Sequence, residues 1–331
     1  MRDTFLFVLT PMLTLALCIL LGFLLRRFRI LPDNAGKVMA KLETWVFLPS
    51  LCLYTTSTYC TVSTIKMHST NLLFSLVAAV LAIIVSYLLI RLFCKKGDPC
   101  RGVYLYALAF ANSGYMGDPL IEKIINTEAL AYYKIFCLPI SLAIYTWGIS
   151  GMIPADKRGG GFLKKILNPP TVSLLVGVAI GLSGLGARMP EFVSDALDAL
   201  RKCMGPVAML LAGFTIGGYS IPRMLKNRRI YGASLLRLTV IPAGIIGVLF
   251  SLRLLLSAFG LDIGPEPLFL AFFALGTPLG LNTVVFPEAY GGDAETGAGM
   301  TLVSHTLCIL TIPLLYSLMT VLFGTPFAFL K

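Results

Sequence analysis

The segment Ala111–Leu120, ANSGYMGDPL, interrupts a long apolar stretch of the chain with residues that do not continue a helix. Gly114 and Gly117 disfavour a continuous helix, and Pro119 lacks the backbone N–H that a helical hydrogen bond needs. Asn112 adds a hydrogen-bonding side chain at the same place. Because apolar sequence continues before and after this segment, the pattern predicts a membrane-spanning helix that is broken partway along its length.

A second segment of the same kind lies in the other half of the chain, at Gly276–Pro287, GTPLGLNTVVFP. When Gly280 is set opposite Gly114, the two segments align, and a short polar loop follows each at a matching distance. Pro278 and Asn282 repeat the combination of a helix breaker and a polar side chain. The alignment predicts two broken helices at equivalent positions of a repeat.

The composition of the chain agrees with a membrane setting. Of its 331 residues, 57% are hydrophobic and 13% are charged, whereas an ordinary soluble domain carries about 25% charged residues. So few charges exclude a disordered protein, a disulfide scaffold and a nucleic-acid binder. The solvent around most of the chain is therefore expected to be the lipid bilayer.

Ten charge-poor windows approach the ~20 residues that a membrane-spanning helix needs. They are 4–25, 44–65, 67–90, 102–117, 135–155, 166–187, 203–222, 238–252, 267–287 and 296–330. Two of them reach full length only by including Asp118 and Arg237. Arg237 is expected to extend its side chain from the cytoplasmic end of span 8 towards water. The pattern predicts an all-α membrane protein of ten transmembrane helices, in which helices 4 and 9 are broken and cross.

The basic residues predict the orientation of the spans. Four alternate connections carry 17 of the 27 lysines and arginines: Arg26, Arg27, Arg29, Lys37, Lys41, Arg91, Lys95, Lys96, Arg101, Lys157, Arg158, Lys164, Lys165, Arg223, Lys226, Arg228 and Arg229. The intervening connections carry few, among them Lys123 and Lys134 between spans 4 and 5. By the positive-inside rule, both termini face outward from the cytoplasmic membrane of the cell.

The chain divides into two groups of five spans. Residues 1–153 form the first repeat, 154–167 a cytoplasmic linker that contains three consecutive glycines, and 168–331 the second repeat. Five is odd, so the second group crosses the membrane in the opposite sense. This inverted-topology repeat is the architecture of many secondary transporters, and the two breaks are expected to meet near the midplane. The N-terminal ends of half-helices there favour an anion such as a carboxylate.

The broken segments resemble those of a known family. ANSGYMGDPL resembles the N-(S/T)-x-x-x-G-x-P-L segment of the auxin efflux carrier family, which includes the plant PIN proteins and bacterial permeases. The stretches WVFLPSL, KILNPPTVSLLVG and LTIPLLYSL match the family in the same order. The resemblance implies a secondary carrier of small organic anions that works by an elevator mechanism. It also implies a scaffold domain of helices 1, 2, 6 and 7, a transport domain of helices 3–5 and 8–10, and a homodimer.

The resemblance also implies a set of substrate-binding residues. They are Ser50, Asn112, Ser113, Gly114, Thr277, Pro278 and Asn282. Two residues depart from the family pattern, since Asp118 replaces an apolar residue and His305 replaces a small hydroxyl residue. We interpret both as candidates for binding a coupling ion, either a proton or sodium. No cofactor or metal site is predicted, because the eight cysteines form no CxxC pair and lie away from histidines.

Structural roles remain open for the same residues. Asn112 is also suited to capping a half-helix, and Asn282 to bonding a neighbouring helix instead of facing a cavity. His305 fits a packed, hydrogen-bonded role equally well. Asp118 is a favourable N-cap, with Pro119 at the first helical position.

Other functions also remain open. One alternative is a sodium- or proton-coupled symporter of the related bile-acid-type fold, and another is a channel or receptor. An intramembrane serine protease would use Ser183, in a GLSG motif, with His305 as its base. The helical rise places these two residues at depths that differ by roughly 8 Å, which disfavours the protease. The sequence therefore favours a transporter over an enzyme.

Overall fold

All regular secondary structure in the described part of the chain is helical. The computed structural model describes residues 2–153 and 167–324, so the predicted linker, apart from Leu167, lies outside it. The first group of helices comprises α1 (Arg2–Arg27), α2 (Ala35–Leu42), α3 (Leu48–Tyr59), α4 (Val62–Met67), α5 (Ser69–Leu89), α6 (Arg101–Ala109), α7 (Asp118–Ile124), α8 (Thr127–Ala143) and α9 (Ile149–Met152). The second comprises α10 (Pro169–Leu182), α11 (Glu191–Gly218), α12 (Ile221–Lys226), α13 (Arg228–Leu235), α14 (Ile241–Ala258), α15 (Glu266–Leu275), α16 (Asn282–Tyr290) and α17 (Ala294–Phe323). The all-α prediction is confirmed for these ranges.

Three long helices are continuous through a widened, π-helical turn. The turns are Glu43–Phe47 between α2 and α3, Ile144–Gly148 between α8 and α9, and Leu236–Val240 between α13 and α14. Pro49 and Pro242 each stand at the second residue of the helix that follows. Because proline lacks an N–H and clashes with the carbonyl four residues earlier, a wider turn before it keeps the helix running.

Five of the described helical segments are long and apolar enough to cross a bilayer. They are Ser69–Leu92, Ala129–Met152, Glu191–Gly218, Arg228–Ala258 and Ala294–Phe323. Two further apolar helices, Pro169–Leu182 and Glu266–Leu275, are shorter. These lengths and compositions support a multi-pass membrane protein, while ten spans and an inverted repeat remain predictions.

The helices pack in two groups. In one, α1 packs along α11, and α3 packs along α10 and α11. In the other, α5 packs on α6, α8, α14 and α15, and α17 packs on α13 and α16. Helix α17 also packs along α1 and α11 of the first group. Large apolar side chains remain exposed at helical spacing on α5 and α17: Leu76, Val80, Ile84, Leu310, Leu314 and Leu318. Such apolar outer faces suit contact with lipid.

Two glycines let α1 and α11 approach until their backbones touch. A β-carbon added at Gly22 would lie 2.0 Å from the carbonyl oxygen of Leu210, and one at Gly213 would lie 1.9 Å from that of Ile19. Real β-carbons do not come so close to backbone atoms. This interface therefore depends on small residues, as helix contacts in membranes often do.

Candidate functional site

The two interrupted segments meet, as the sequence analysis expected. Ala111 and Leu279 form an isolated antiparallel backbone bridge. The backbone N–H of Asn112 donates to the carbonyl of Pro278 at 2.8 Å, and that of Gly280 donates to the carbonyl of Phe110 at 3.3 Å. Each break thus satisfies backbone groups of the other, which a bilayer interior requires of unwound chain.

Arg237 joins the helix ends that precede both breaks. Its side chain is buried, and its guanidinium donates to the carbonyl of Leu108 at 3.4 Å and to that of Leu275. These carbonyls belong to the last turns of α6 and α15, whose C-terminal dipoles each amount to about −0.5 charge. One guanidinium therefore balances two helix ends. The prediction of an arginine extending towards water is wrong, because the turn Leu236–Val240 packs inward at the crossing.

Asn282 connects the two breaks through tyrosine hydroxyls. Its amide nitrogen donates to the Tyr106 hydroxyl at 2.7 Å, and its amide oxygen accepts from the Tyr115 hydroxyl at 3.1 Å. Tyr115 belongs to the first break and Asn282 opens α16 after the second. The side chain is buried and lies at the crossing, where it lines a cavity and also bonds a neighbouring helix.

Asn112 and His305 form a hydrogen-bonded pair. The amide nitrogen of Asn112 lies 3.2 Å from Nε2 of His305, and Nδ1 of His305 lies 3.1 Å from the carbonyl oxygen of Thr301. A carbonyl only accepts, so Nδ1 carries the hydrogen and Nε2 accepts from Asn112. The amide oxygen of Asn112 is buried without a hydrogen-bond partner among the described residues. A neutral His305 therefore orients Asn112.

A cavity of 60 Å³ lies beside the crossing, between the two breaks, α3 and α8. Five of the predicted residues line it: Asn112, Ser113, Gly114, Asp118 and Asn282. Residues that the sequence analysis did not select also line it, including Thr55, Thr56, Lys134 and Tyr145. Its volume is below the ~300–1,000 Å³ of typical small-molecule sites, so this conformation suits only a small ligand.

Four other predicted residues do not line this cavity. Ser50 donates its hydroxyl to the carbonyl of Val46 in its own helix, at 2.7 Å. Pro278 contributes its carbonyl to the backbone bridge, and the Thr277 hydroxyl is buried without a partner among the described residues. His305 borders a separate cavity between α1 and α17. The structure therefore brings Asn112, Ser113, Gly114, Asp118 and Asn282 together around the cavity. Pro278 and His305 contact Asn112 from outside it, and Ser50 and Thr277 do not line it.

Asp118 and Lys134 form an ion pair in the cavity wall, with side chains 15% and 8% exposed. The prediction that Lys134 lies in an outer connection is wrong, because Lys134 lies within helix α8. Helix α8 begins earlier than the apolar window suggests, because the Asn126 side chain accepts a hydrogen bond from the backbone of Ala129 at 2.8 Å and caps it. Gly117 is the N-cap of α7, and Asp118 is the first residue of the helix. The predicted capping role of Asp118 is therefore also wrong.

Two further features escaped the sequence analysis. Glu43 is fully buried, and neither carboxyl oxygen has a hydrogen-bond partner in the described part of the chain. Between α5 and α6, the possible ligand atoms of Cys94, Asp98 and Cys100 all lie within 4.8 Å of one another. The two sulfurs are 3.5 Å apart. Cys94 and Cys100 are six residues apart, so they do not form a CxxC pair.

The residues of the protease alternative lie in different surroundings. Ser183 is exposed, and its hydroxyl donates to the carbonyl of Ile180 at 2.9 Å. His305 is buried and bonds Asn112 and Thr301. A nucleophile and its base need a mutual hydrogen bond, and these two residues have other partners.

Comparisons with known proteins point to transport. A model of the family described as membrane transport protein matches residues 7–159 and 161–316. An uncharacterized transporter of Methanocaldococcus jannaschii is 24% identical over 315 residues, which cover 91% of this chain and 96% of the relative. The structure is similar to that of the sodium proton antiporter MjNhaP1 of the same organism, solved at pH 8, with a TM-score of 0.57 and 13% identity. That match covers 94% of this chain and 92% of the antiporter chain.

Proposed function

The chain belongs to the membrane transport protein family, and from this premise we propose that it carries a small organic anion across the cytoplasmic membrane as a secondary transporter. The family match confirms the resemblance of the broken segments to auxin efflux carriers. The observation that carries the proposal is the polar cavity at the crossing, lined by Asn112, Asn282 and Lys134. Amide and ammonium donors in a mostly apolar protein are suited to a carboxylate.

We propose that transport uses an elevator motion within ten spans arranged as two inverted repeats. The packing supports this division, since α11 packs along both α1 and α3, α3 packs along α10, and these four helices would form the scaffold. Helices α5, α8, α14 and α15 form a second contacting group. The cavity lies between α3 of the first group and α8 of the second. In this proposal the scaffold also provides the contact between the subunits of a homodimer.

Substrate binding should depend on both amides at the crossing. We expect Asn112→Ala and Asn282→Ala each to weaken the binding of a transported carboxylate by roughly tenfold or more, since a lost hydrogen bond to a charged group costs about 1.5–3 kcal/mol. The measurement is ligand affinity of purified protein, with thermal stability as the check on folding. Asn34→Ala is the matched control, because Asn34 is exposed and its side chain caps nothing. Unchanged affinity in both variants would place the site elsewhere.

The proposed orientation has its own test. Cysteines introduced at Gly160 and Lys226 should react with an impermeant maleimide only from the cytoplasm, and one at Lys66 only from outside. The reason is the concentration of basic residues in alternate connections. Gly160 lies outside the described residues, so Lys226 provides the structurally described inner position. Labelling with the opposite pattern would reverse the orientation, with both termini then inside.

We propose Asp118 as the site of coupling to a proton or sodium ion. Of the two candidates, Asp118 lines the cavity, whereas His305 lies behind Asn112 and bonds it. A largely shielded carboxylate beside the substrate site is suited to this task, because ionisable residues within membranes commonly mark ion pathways.

A further inference from the structure

The charge of the cavity rests on one lysine and one aspartate. Among the described residues that line it, Lys134 is the only cation and Asp118 the only acid. The two form an ion pair that is mostly shielded from solvent. Paired in this way, they contribute no net charge, so the cavity has no free cation for an anionic substrate.

A substrate carboxylate therefore competes with Asp118 for the same ammonium group. Two carboxylates next to one ammonium repel each other in a site with little water, and this repulsion favours protonation of one of them. Asp118 is fixed to the protein at the start of α7 and cannot leave. Entry of the substrate is thus linked to neutralisation of Asp118.

We propose that Lys134 binds the carboxylate of the substrate and that Asp118 releases Lys134 by taking up a proton. This inference rests on the proposed function and deepens it. The proton comes from the aqueous phase and forms an O–H bond on Asp118, while Lys134 stays an ammonium ion throughout. One proton then enters with one monoanion, so the pair crosses without net charge. Release on the other side reverses both steps.

The groups around the ion pair leave Asp118 as the partner of Lys134. The charged and titratable groups that face it are Arg201 on α11, Glu122 on α7, Tyr59 and Cys52 on α3, and Tyr133 and Cys137 on α8. Arg201 is itself paired with Asp198. Glu122 is exposed and does not line the cavity. Arg201, with a side chain 19% exposed, lines a neighbouring cavity, so none of these groups adds a second cation to the cavity that Lys134 lines.

The same arrangement selects a class of substrate. One ammonium group forms an ion pair with one carboxylate, and a dicarboxylate would bring a second negative charge without a partner. Apolar side chains, among them Leu51, Leu174 and Met204, form much of the remaining wall. The small volume of the cavity favours short molecules. The geometry points to short-chain monocarboxylates.

The test uses acetate, propionate and succinate as probes of the full-length protein. Affinity is measured by thermal shift from pH 5.5 to pH 8, and uptake of labelled propionate is measured in proteoliposomes. For the wild type we expect propionate to bind more tightly than succinate. Its affinity should rise by up to tenfold for each unit by which the pH falls, because one proton is taken up with the ligand.

Four variants separate the roles of the two residues. Asp118→Asn should bind propionate with an affinity that no longer changes with pH, and it should lose uptake driven by a pH gradient. Lys134→Gln should bind at least 50-fold more weakly at every pH, whereas Lys134→Arg should retain binding. Lys66→Gln, at an exposed lysine, should behave as the wild type.

Several results would overturn the inference. They are unchanged propionate affinity in Lys134→Gln, a persistent pH response in Asp118→Asn, or uptake that follows a sodium gradient instead of a pH gradient. A wild type that transports only dicarboxylates would also overturn it, yet would leave the proposed transport of an organic anion standing. Absence of uptake for every organic anion in the wild type would instead overturn the proposed function itself.

Discussion

Arg237→Met should leave a protein that unfolds at a much lower temperature and no longer transports. The substitution removes the donor to two buried carbonyls, those of Leu108 and Leu275. Each carbonyl left without a partner costs about 1–3 kcal/mol. The C-terminal dipoles of α6 and α15 would also lose the charge that balances them. We expect a total loss of about 3–5 kcal/mol, measured as the loss of monodisperse protein on heating in detergent.

The matched control is Arg91→Met, which removes one positive charge from an exposed position. It should leave the melting temperature almost unchanged. Arg237→Lys should lie between the two, because lysine keeps the charge but does not reproduce the planar fork of donors that reaches two carbonyls at once. If Arg237→Met and Arg91→Met have the same melting temperature, Arg237 does not stabilise the crossing.

Gly213→Ala should destabilise the protein although alanine is the better helix former. In an open position of a helix, glycine to alanine stabilises by roughly 0.5–1 kcal/mol. At Gly213 the added methyl group would collide with the backbone carbonyl of Ile19, which lies on a neighbouring helix and has no rotamer to move into. We expect a net loss of about 1–3 kcal/mol from overpacking and a larger loss for Gly213→Val.

Gly247→Ala provides the comparison, because, beyond the adjacent backbone of its own helix, no atom of the described residues lies within 4 Å of the β-carbon it would add. Both variants are assayed by thermal unfolding in the same detergent. The two substitutions should change stability in opposite directions. A shift of the same sign and size in both would mean that α1 and α11 do not pack as closely as described.

The positions of the broken helices were predictable from the sequence because backbone chemistry decides them locally. Glycine and proline within Ala111–Leu120 and Gly276–Pro287 act whatever surrounds them. The same holds for the meeting of the two breaks, since unwound backbone in a bilayer needs partners. The lengths of the spans are predicted from hydropathy and their orientation from the basic residues. The number of spans stays a prediction.

The side chains of the site were less predictable because tertiary packing decides where they point. Arg237 and Lys134 both lie near the ends of apolar windows, where a basic residue usually reaches water. Their burial follows from a wide turn before Pro242 and from the early start of α8 at the Asn126 cap. The cap was visible in the sequence as an asparagine before a helical pattern. The inward turn at Arg237 had no such signal.

The backbone bridge between Ala111 and Leu279 makes the crossing sensitive to changes in the length of either segment. Its two hydrogen bonds, from Asn112 to Pro278 and from Gly280 to Phe110, need no particular side chain. Adding or deleting one residue in either segment would shift the following residues relative to the bridge and rotate the helix that follows by about 100°. Asn112 would then lose His305 while the chain kept its composition and hydropathy. The crossing therefore depends on the spacing of residues along the two segments as well as on their glycines and prolines.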